Sequence, residues 1–278
     1  MTVRELIKHI ENSLLTDEGL IEAKISVMHY LDIDSTSLLM RMNDTVDEDI
    51  VNKCNALIER RNKGYPLYYI LGKTEFYGLP FCVGEGVLIP RQDTEVLVDE
   101  AIDYLSKLKQ KDNLQVLDLC AGTGCVGISI AKNVENAVVT QVELFDKAYD
   151  YLVENIRLNN CSDVTPIKAD AKEYIGDEIY DLVVSNPPYV NYSLYGTLQK
   201  EVMHEPETAL FAEDNGLLFY KIFAKNFKGR TSAIMFEIGE EQSSSVSNIL
   251  IENGFENIRI VEDTNGHTRV CIGYYCVR

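Results

Sequence analysis

The sequence predicts an α/β fold in which helices cover both faces of a mostly parallel β-sheet, preceded by a small helical domain. Strand patterns alternate with helix patterns from residue 91 onward, the first 72 residues carry helix patterns, and a short hairpin pattern lies between the two regions. Strands that alternate with helices form parallel sheets, because each helix carries the chain back across one face of the sheet. We therefore expect three parts, which are a helical domain over 1–72, a β-hairpin linker over 73–90 and an α/β domain over 91–278.

The first region resembles a helical bundle in its pattern. Apolar residues recur at helical spacing, and two pairs, Thr2 with Glu5 and Thr45 with Glu48, have the spacing of a capping box. Each pair precedes an apolar run, so we expect a helix to begin after each of these threonines.

The α/β region contains seven strand patterns. The predicted strands are Val116–Leu119, Ala137–Val142, Val164–Lys168, Tyr180–Ser185, Ser232–Ile238, Ile258–Val261 and Thr268–Tyr274. The predicted helices include Thr94–Lys109, Lys147–Leu158, Leu217–Asn226 and Glu241–Glu252. The connection between the last two strands is too short for a helix, so we expect those strands to pair antiparallel.

Charge and cysteine content narrow the classes of function. The chain has 44 acidic and 26 basic residues, a net charge of -18, and such a surface repels a phosphate backbone, so direct nucleic-acid binding is not expected. The seven cysteines are scattered through mostly apolar runs, which suits reduced thiols and gives no metal site. No run of about 18 apolar residues and no signal-peptide core occur, so we expect no membrane span and a cytoplasmic protein.

A strand that runs into a glycine turn is the first candidate binding site. The turn consists of Cys120, Ala121, Gly122, Thr123 and Gly124. Glycines let a ligand approach the backbone, and amides at the start of the following helix face it. Glu143 lies 19 residues beyond Gly124, where a carboxylate can accept both hydroxyls of a ribose. The pattern fits a nicotinamide cofactor or S-adenosylmethionine equally well, and a tight turn without a ligand also remains open.

Asp118 favours S-adenosylmethionine. It lies inside the strand, where a charge is costly unless it meets a partner. The methionine end of this cofactor is cationic, so an acid at this position suits it.

The most specific motif is Asn186, Pro187, Pro188 and Tyr189, which follows a predicted strand. A rigid turn would explain the prolines but not the flanking asparagine and tyrosine. In open α/β sheets ligands bind at the carboxyl ends of the strands, so we expect this loop to face the cofactor.

The motif suits methyl transfer to a planar NH2 group, whose delocalised lone pair makes the nitrogen a poor nucleophile. The side-chain oxygen of Asn186 and the backbone carbonyl of Pro187 can accept its two hydrogens, which aligns the nitrogen for attack. Such positioning supplies on the order of 7–11 kcal/mol at best. The Tyr189 ring can stack on the planar target. We therefore assign Asn186, Pro187 and Tyr189 to catalysis, and all four motif residues to substrate binding.

Several further segments make the chain resemble one family, the glutamine N5-methyltransferases of peptide chain release factors (PrmC/HemK). They are Pro66–Gly72, Phe76–Leu79, Leu88–Glu95 and Glu205–Leu210, together with the Asn-Pro-Pro-Tyr motif. The resemblance implies a seven-stranded Rossmann-like, S-adenosylmethionine-dependent methyltransferase domain behind a small N-terminal helical domain that helps to dock the substrate. It also implies class I release factors as partners, with the glutamine of their Gly-Gly-Gln loop as the methylated residue. We expect a monomer.

The same resemblance assigns binding roles to individual positions. Residues 120–124 are expected to line the methionine part of the cofactor, Glu143 to hold the ribose, Asp170 and Ala171 to lie beside the adenine, and Asn186 to touch cofactor and substrate. Four positions depart from the family pattern. Cys120 stands where glycine is usual, Glu143 where aspartate is frequent, Gln92 where proline is usual, and Ala171 where some members have a larger residue.

Two other functions remain as alternatives. A DNA or RNA adenine N6-methyltransferase would also act on a planar NH2 group, after flipping the base out, but the acidic charge opposes it. A non-enzymatic cofactor-binding or scaffold protein would have no use for the intact Asn186–Tyr189 motif.

Overall fold

The computed structural model describes residues 1–108 and 111–276. Lys109, the end of one predicted helix, and the last two residues of the predicted α/β domain therefore lie outside the described residues. The chain divides into two compact units. The first contains Met1–Lys73 and Gln199–His204, and the second contains the remainder. The sequence did not single out the segment Gln199–His204.

The first unit is helical. Its helices are α1 (Val3–Ser13), α2 (Gly19–Leu31), α3 (Ser35–Met40), α4 (Glu48–Arg61) and α5 (Leu67–Leu71). Their apolar faces meet in a core formed by residues such as Leu6, Ile10, Val27 and Cys54, all of which are fully buried.

One of the two predicted capping boxes is present. The Thr2 hydroxyl accepts the Glu5 backbone N–H, and the Glu5 carboxylate accepts the Thr2 backbone N–H at 2.8 Å. The prediction for Thr45 is wrong, because α4 begins at Glu48 with Asp47 as its N-cap. Thr45 is used otherwise, since it forms an isolated antiparallel bridge with Thr2.

A buried ion cluster lies within the first unit. The Arg61 guanidinium donates to both carboxylate oxygens of Glu22, at 2.7 and 2.8 Å, and to Glu201 at 2.5 Å. The side chains of Arg61 and Glu22 are each only 7% exposed. Because neither charge reaches bulk water, each depends on the other for its stabilisation. Glu201 belongs to the segment Gln199–His204, so the cluster fixes that segment to the helices.

The second unit begins within a hairpin whose first strand starts at Lys73, the last residue of the segment Met1–Lys73, and it continues as the α/β part. Its strands are β1 (Lys73–Phe76), β2 (Leu79–Cys82), β3 (Leu114–Leu119), β4 (Ala137–Glu143), β5 (Val164–Lys168), β6 (Tyr180–Ser185), β7 (Val190–Asn191), β8 (Phe211–Ala212), β9 (Thr231–Glu237), β10 (Glu256–Glu262) and β11 (Thr268–Tyr274). Its helices are α6 (Glu95–Ser106), α7 (Cys125–Asn133), α8 (Asp146–Leu158), α9 (Glu207–Leu210), α10 (Leu218–Asn226) and α11 (Ser243–Glu252).

The main sheet has the strand order β10-β11-β9-β6-β3-β4-β5. Strand β11 runs antiparallel to both neighbours, and the pairings among β9, β6, β3, β4 and β5 are parallel. The predicted seven-stranded α/β fold and the antiparallel last pair are confirmed. Strands β4 and β5 lie on one side of β3, and β6 lies on its other side. The connections that follow β3 and β6 therefore run in opposite directions from neighbouring carboxyl ends.

The inner strands are buried on both faces. Alternate residues of β3, such as Val116 and Leu117, point into two separate apolar clusters. Helices α6 and α7 cover one face, and α10 and α11 cover the other. The two-residue strands β7 and β8 were not predicted, since they are too short to show an alternating pattern.

We expect Arg61→Ala to destabilise the protein by about 3–5 kcal/mol, because it leaves the Glu22 carboxylate buried without its partner. Arg41→Ala is the control, since the Arg41–Asp44 pair is exposed and such pairs contribute about 0–1 kcal/mol. Urea denaturation followed by circular dichroism measures both losses. Equal losses in the two variants would contradict this account of the cluster.

Candidate active site

Two loops meet at the carboxyl edge of the sheet. Leu119, the last residue of β3, pairs with Ser185, the last residue of β6. The Ser185 hydroxyl donates to the Leu119 carbonyl at 2.6 Å and joins the two strand ends. The glycine turn and the Asn-Pro-Pro-Tyr motif therefore leave the sheet side by side.

The glycine turn has left-handed backbone at three positions. Cys120, Gly122 and Gly124 have φ angles of 61°, 55° and 81°. The left-handed conformation of Cys120 explains why glycine suits this position, since a side chain there costs roughly 1–2 kcal/mol. Neighbours hold the turn in place: the Ala121 N–H donates to the Val142 carbonyl at 3.0 Å, and the Gly124 N–H donates to the Ala121 carbonyl at 2.8 Å.

Gly124 caps helix α7 and packs inward. A Cβ atom there would lie 2.5 Å from Leu152 Cδ1, so no larger residue fits without movement. The side chain of Gln141 donates to the Gly124 carbonyl at 3.1 Å. Thr123 is held in the same way, because the Asn155 amide donates to its carbonyl at 3.0 Å. These contacts fix the turn from beneath.

Asp118 is a buried carboxylate without a cationic partner among the described residues. It is 1% exposed, and its Oδ2 accepts the Gln141 amide at 2.7 Å and the Gly127 backbone N–H at 3.0 Å. Burial raises the pKa of Asp118 to about 7, although these two donors oppose the rise. A ligand cation would compensate its charge.

Glu143 ends β4 and is 6% exposed. Its Oε2 accepts the Gly122 N–H at 2.9 Å, and its Oε1 accepts the Phe145 N–H at 2.8 Å. Burial raises the pKa of Glu143, and these backbone donors lower it. Each oxygen keeps a second lone pair that can accept a ligand hydroxyl.

A cavity of about 330 Å³ opens beside these residues. Of the predicted binding residues, its lining contains Asp118, Cys120, Ala121, Gly122, Thr123, Glu143, Asp170, Ala171, Asn186 and Pro188. Within the described chain, Gly124, Pro187 and Tyr189 are not part of that lining. The size suits a cofactor-sized molecule, and two buried carboxylates suit one with a cationic end and a ribose. The residues present therefore fit S-adenosylmethionine.

Asn186 is oriented by a residue distant in sequence. Its amide nitrogen donates to the Thr94 hydroxyl at 3.2 Å. Thr94 is 2% exposed and stands immediately before α6. With the amide nitrogen engaged, the side-chain oxygen of Asn186 is left as the acceptor for another group.

Tyr189 is held at both ends. Its hydroxyl donates to Glu237 Oε1 at 3.4 Å, and its backbone carbonyl accepts the Gln242 amide at 3.1 Å. Burial raises the pKa of Tyr189 above its ordinary value, so the phenol stays protonated. Tyr189, Asn186 and Glu237 line a second, smaller cavity of about 60 Å³.

The sequence reasoning missed three supporting residues, which are Thr94, Glu237 and Gln242. Glu237 carried a usable signal, because it is a charged residue at the end of an apolar strand pattern, as Asp118 is. Thr94 lies in the segment Leu88–Glu95 that carries the family resemblance, but neither it nor Gln242 carried a local signal for these contacts. Their partners lie 92 and 53 positions away in the chain.

Family models match both parts of the chain. The methyltransferase small domain matches residues 96–267, and the PrmC N-terminal domain matches residues 5–72. Release factor glutamine methyltransferases of Fusobacterium nucleatum and Thermodesulfovibrio yellowstonii are 37% and 35% identical to the chain. These alignments cover 89% and 90% of this chain and 71% and 91% of those proteins.

The chain belongs to the release factor glutamine methyltransferase family. The Aliivibrio fischeri relative of the same name aligns over 100% of this chain and 99% of its own length, at 32% identity. The chain is therefore a methyltransferase that uses S-adenosylmethionine, which confirms the predicted activity and cofactor.

Solved structures support the fold alone. The hMettl16 catalytic domain in complex with MAT2A 3′UTR hairpin 6 superposes with a TM-score of 0.59 at 16% identity, covering 83% of each chain. The N-terminal domain of human METTL16 in complex with SAH gives a TM-score of 0.55 at 15% identity, covering 89% of this chain and 90% of that one.

Across residues 1–108 and 111–276, no helix is long and apolar enough to cross a membrane. In the same residues, no cluster of His, Cys, Asp and Glu offers three potential metal ligands.

Asp118 should make the stability of the ligand-free enzyme depend on pH. Its folded-state pKa of about 7 lies above the unfolded value of about 4, so the folded protein binds the proton more tightly. The stabilisation that comes from this tighter proton binding by Asp118 is complete below about pH 4 and is lost as the pH rises towards 7. At pH 8 the buried Asp118 carboxylate is ionised, so we expect Asp118→Asn to be more stable than the wild type by more than about 1 kcal/mol. At pH 5 Asp118 is protonated, and the difference between the two proteins should be smaller.

Denaturation midpoints at the two pH values measure this difference, with the exposed Asp112→Asn as the control. An Asp118→Asn variant whose stability follows pH as the wild type does would show that Asp118 is ionised without penalty.

Proposed function

We propose that this methyltransferase transfers a methyl group to the side-chain amide nitrogen of the glutamine in the Gly-Gly-Gln loop of class I release factors. The observation that carries the proposal is the orientation of Asn186. Its amide nitrogen is engaged by Thr94, so its oxygen can accept an N–H of a planar amide. The family name of the relatives supports a release factor glutamine as the source of that amide.

The cofactor supplies a methyl group on a positively charged sulfonium when it is bound. In our proposal the turn Cys120–Gly124 binds its methionine end, and Asp118 compensates the positive charge there. The Glu143 carboxylate accepts the ribose hydroxyls. Asp170 and Ala171 lie beside the adenine, where the small side chain of Ala171 leaves the contact to the backbone and to neighbouring residues.

The Asn-Pro-Pro-Tyr motif orients the substrate. Asn186 Oδ1 and the Pro187 carbonyl accept the two amide hydrogens, which fixes the nitrogen and directs its lone pair. Pro187 and Pro188 restrict the backbone that presents these acceptors. The Tyr189 ring stacks on the planar amide. As the new N–C bond forms, the bond between the methyl group and sulfur would break with its electron pair left on sulfur, and the nitrogen would lose one hydrogen as a proton, which passes to water.

The proposal extends to partners and location. The helical unit helps to dock the release factor, and the enzyme acts as a cytoplasmic monomer without binding nucleic acid directly. The net charge of -18 supports the last point, because it disfavours a DNA or RNA substrate. Adenine N6-methylation remains the alternative, since adenine also offers a planar NH2 group.

We expect Asn186→Ala to lower the rate of methyl transfer by at least about a hundredfold, because it removes one of the two acceptors of the amide hydrogens. The matched control is Asn136→Ala, whose amide donates to the Lys111 carbonyl. Transfer of labelled methyl groups measures the rate, and circular dichroism checks the fold. Near-normal turnover by folded Asn186→Ala would remove Asn186 from the assigned role.

We expect intact release factor to be labelled, and neither the same factor with Gln→Glu in its Gly-Gly-Gln loop nor DNA to be labelled. An isolated peptide with this loop should react poorly, because contacts remote from the glutamine orient the amide. Labelled methyl donor and gel separation of the products provide the measurement. Labelled DNA, or equal labelling of both forms of the factor, would refute the substrate and support the adenine alternative.

A further inference from the structure

Glu237 is a buried carboxyl group that neither the Asn-Pro-Pro-Tyr motif nor the proposed cofactor contacts explain. It ends β9, which is the strand next to β6, and is 3% exposed. In the part of the chain that the structure describes, its Oε2 has no hydrogen-bond partner. A buried acceptor without a partner is costly, and such groups persist where a function uses them.

The groups around Glu237 include residues of the proposed active site and residues that hold them in place. The Tyr189 hydroxyl donates to its Oε1 at 3.4 Å, and the Thr94 hydroxyl lies beside the carboxylate and lowers its pKa. The charged groups that act on it are Asp93, which raises its pKa, and Arg269, which lowers it. The titratable Cys125 and Tyr220 also face it, since its charge raises the pKa of both.

Thr94 links this carboxylate to Asn186. The Thr94 oxygen accepts an N–H of the Asn186 amide, so the hydrogen of the Thr94 hydroxyl is free to be donated to another group. Glu237 is the acceptor next to it, and we assign the Thr94 hydrogen to Glu237 Oε2, the carboxylate oxygen that no other described donor contacts. A hydroxyl that donates its single hydrogen to a carboxylate can only accept from a second partner, and this restriction selects the amide nitrogen of Asn186 over its oxygen.

We propose that Glu237 is a positioning residue for methyl transfer, which acts through the Thr94 hydroxyl to turn the Asn186 oxygen towards the substrate and holds the Tyr189 ring by its hydroxyl. One carboxylate thus orients both side chains of the motif that contact the substrate. The inference rests on the proposed roles of Asn186 and Tyr189.

A structural role alone would not select an acid at this position. A pair of apolar side chains at positions 94 and 237 would fill the same space without a buried charge, and such replacements are often neutral or stabilising. The carboxylate is the group that can accept two hydroxyl donors at once, since each of its oxygens is an acceptor. Glutamine has the same shape but one acceptor oxygen, so it cannot accept from the Thr94 and Tyr189 hydroxyls together, and its NH2 group reverses whichever hydroxyl it faces.

The proposal has a pH consequence. Burial raises the pKa of Glu237 to about 7 from its ordinary value of 4.5. Protonation below about pH 7 turns one acceptor oxygen into a donor, so the network loses its polarity and the turnover rate falls on the acid side. Asp118 titrates in the same range, and the informative quantity is therefore the difference between the wild type and a Glu237 variant.

The test compares Glu237→Gln with Asp181→Asn. Asp181 is an acid of the same sheet, buried at the opposite end of β6, where it accepts Lys111 and the Gln115 N–H. We expect Glu237→Gln to lower kcat by up to about a hundredfold, with the affinity for S-adenosylmethionine unchanged within about threefold. The acid limb of its kcat profile should shift to lower pH or disappear. Asp181→Asn should keep the kcat and pH profile of the wild type.

Thr94 provides a second, independent pair of variants. Thr94→Val removes the hydroxyl and should lower kcat as Glu237→Gln does, whereas Thr94→Ser keeps the hydroxyl and should stay near the wild type. Calorimetric binding of S-adenosylmethionine checks that each variant is folded.

A measurement without the protein substrate separates this inference from the proposed function. The Asn186 side-chain amide, assigned in a ¹H–¹⁵N spectrum with Asn186→Asp, should exchange with water about tenfold faster in Thr94→Val and show an altered shift in Glu237→Gln. A wild type that leaves release factors unmethylated would refute the proposed function. An Asn186 amide signal identical in all variants, or wild-type kcat and pH profile in Glu237→Gln, would overturn the role of Glu237.

Discussion

The pairing of β3 with β6 is the constraint on which the site depends. The register sets Leu119 beside Ser185, and the hydroxyl of Ser185 ties the two strand ends together. In a parallel sheet both chains then leave the same edge, so two loops that are far apart in sequence start next to each other. The cavity exists because the chain reverses its direction of sheet growth at β3, which leaves no crossover helix above this edge to fill it.

Three buried acids lie at this edge of the sheet, each in a different strand. Asp118, Glu143 and Glu237 lie in β3, β4 and β9, and all three are nearly inaccessible to water. Burial raises the pKa of each of them, so each costs stability in the free protein. The backbone N–H groups of Gly122 and Phe145 offset this cost for Glu143. The remaining cost is consistent with an edge arranged for a charged ligand rather than for maximal stability.

The sequence predicted the fold well and the site in part, for physical reasons. Apolar periodicity within a strand is a local property, and the seven strands of the sheet were recognised from it. The Thr45 capping box failed because spacing alone does not decide which of several residues, here Asp47, stands at the helix start. The link from Asn186 to Thr94 spans 92 positions and depends on the packing of α6 beside the sheet, so no local pattern predicts it. Glu237 differs, because an acid at the end of an apolar strand is visible in the sequence. That pattern indicates a functional carboxylate at Glu237 as it does at Asp118.

Cys120 indicates how rigid the glycine turn must be. A non-glycine residue at a φ of 61° is strained, and strain persists only where the surroundings over-determine the conformation. Here the next residue, Ala121, is tied to β4 through the Val142 carbonyl, and the Gly122 N–H is held by Glu143. These contacts come from the protein itself, so the conformation of the turn does not depend on contacts to a ligand, and a preorganised turn reduces the entropy cost of binding.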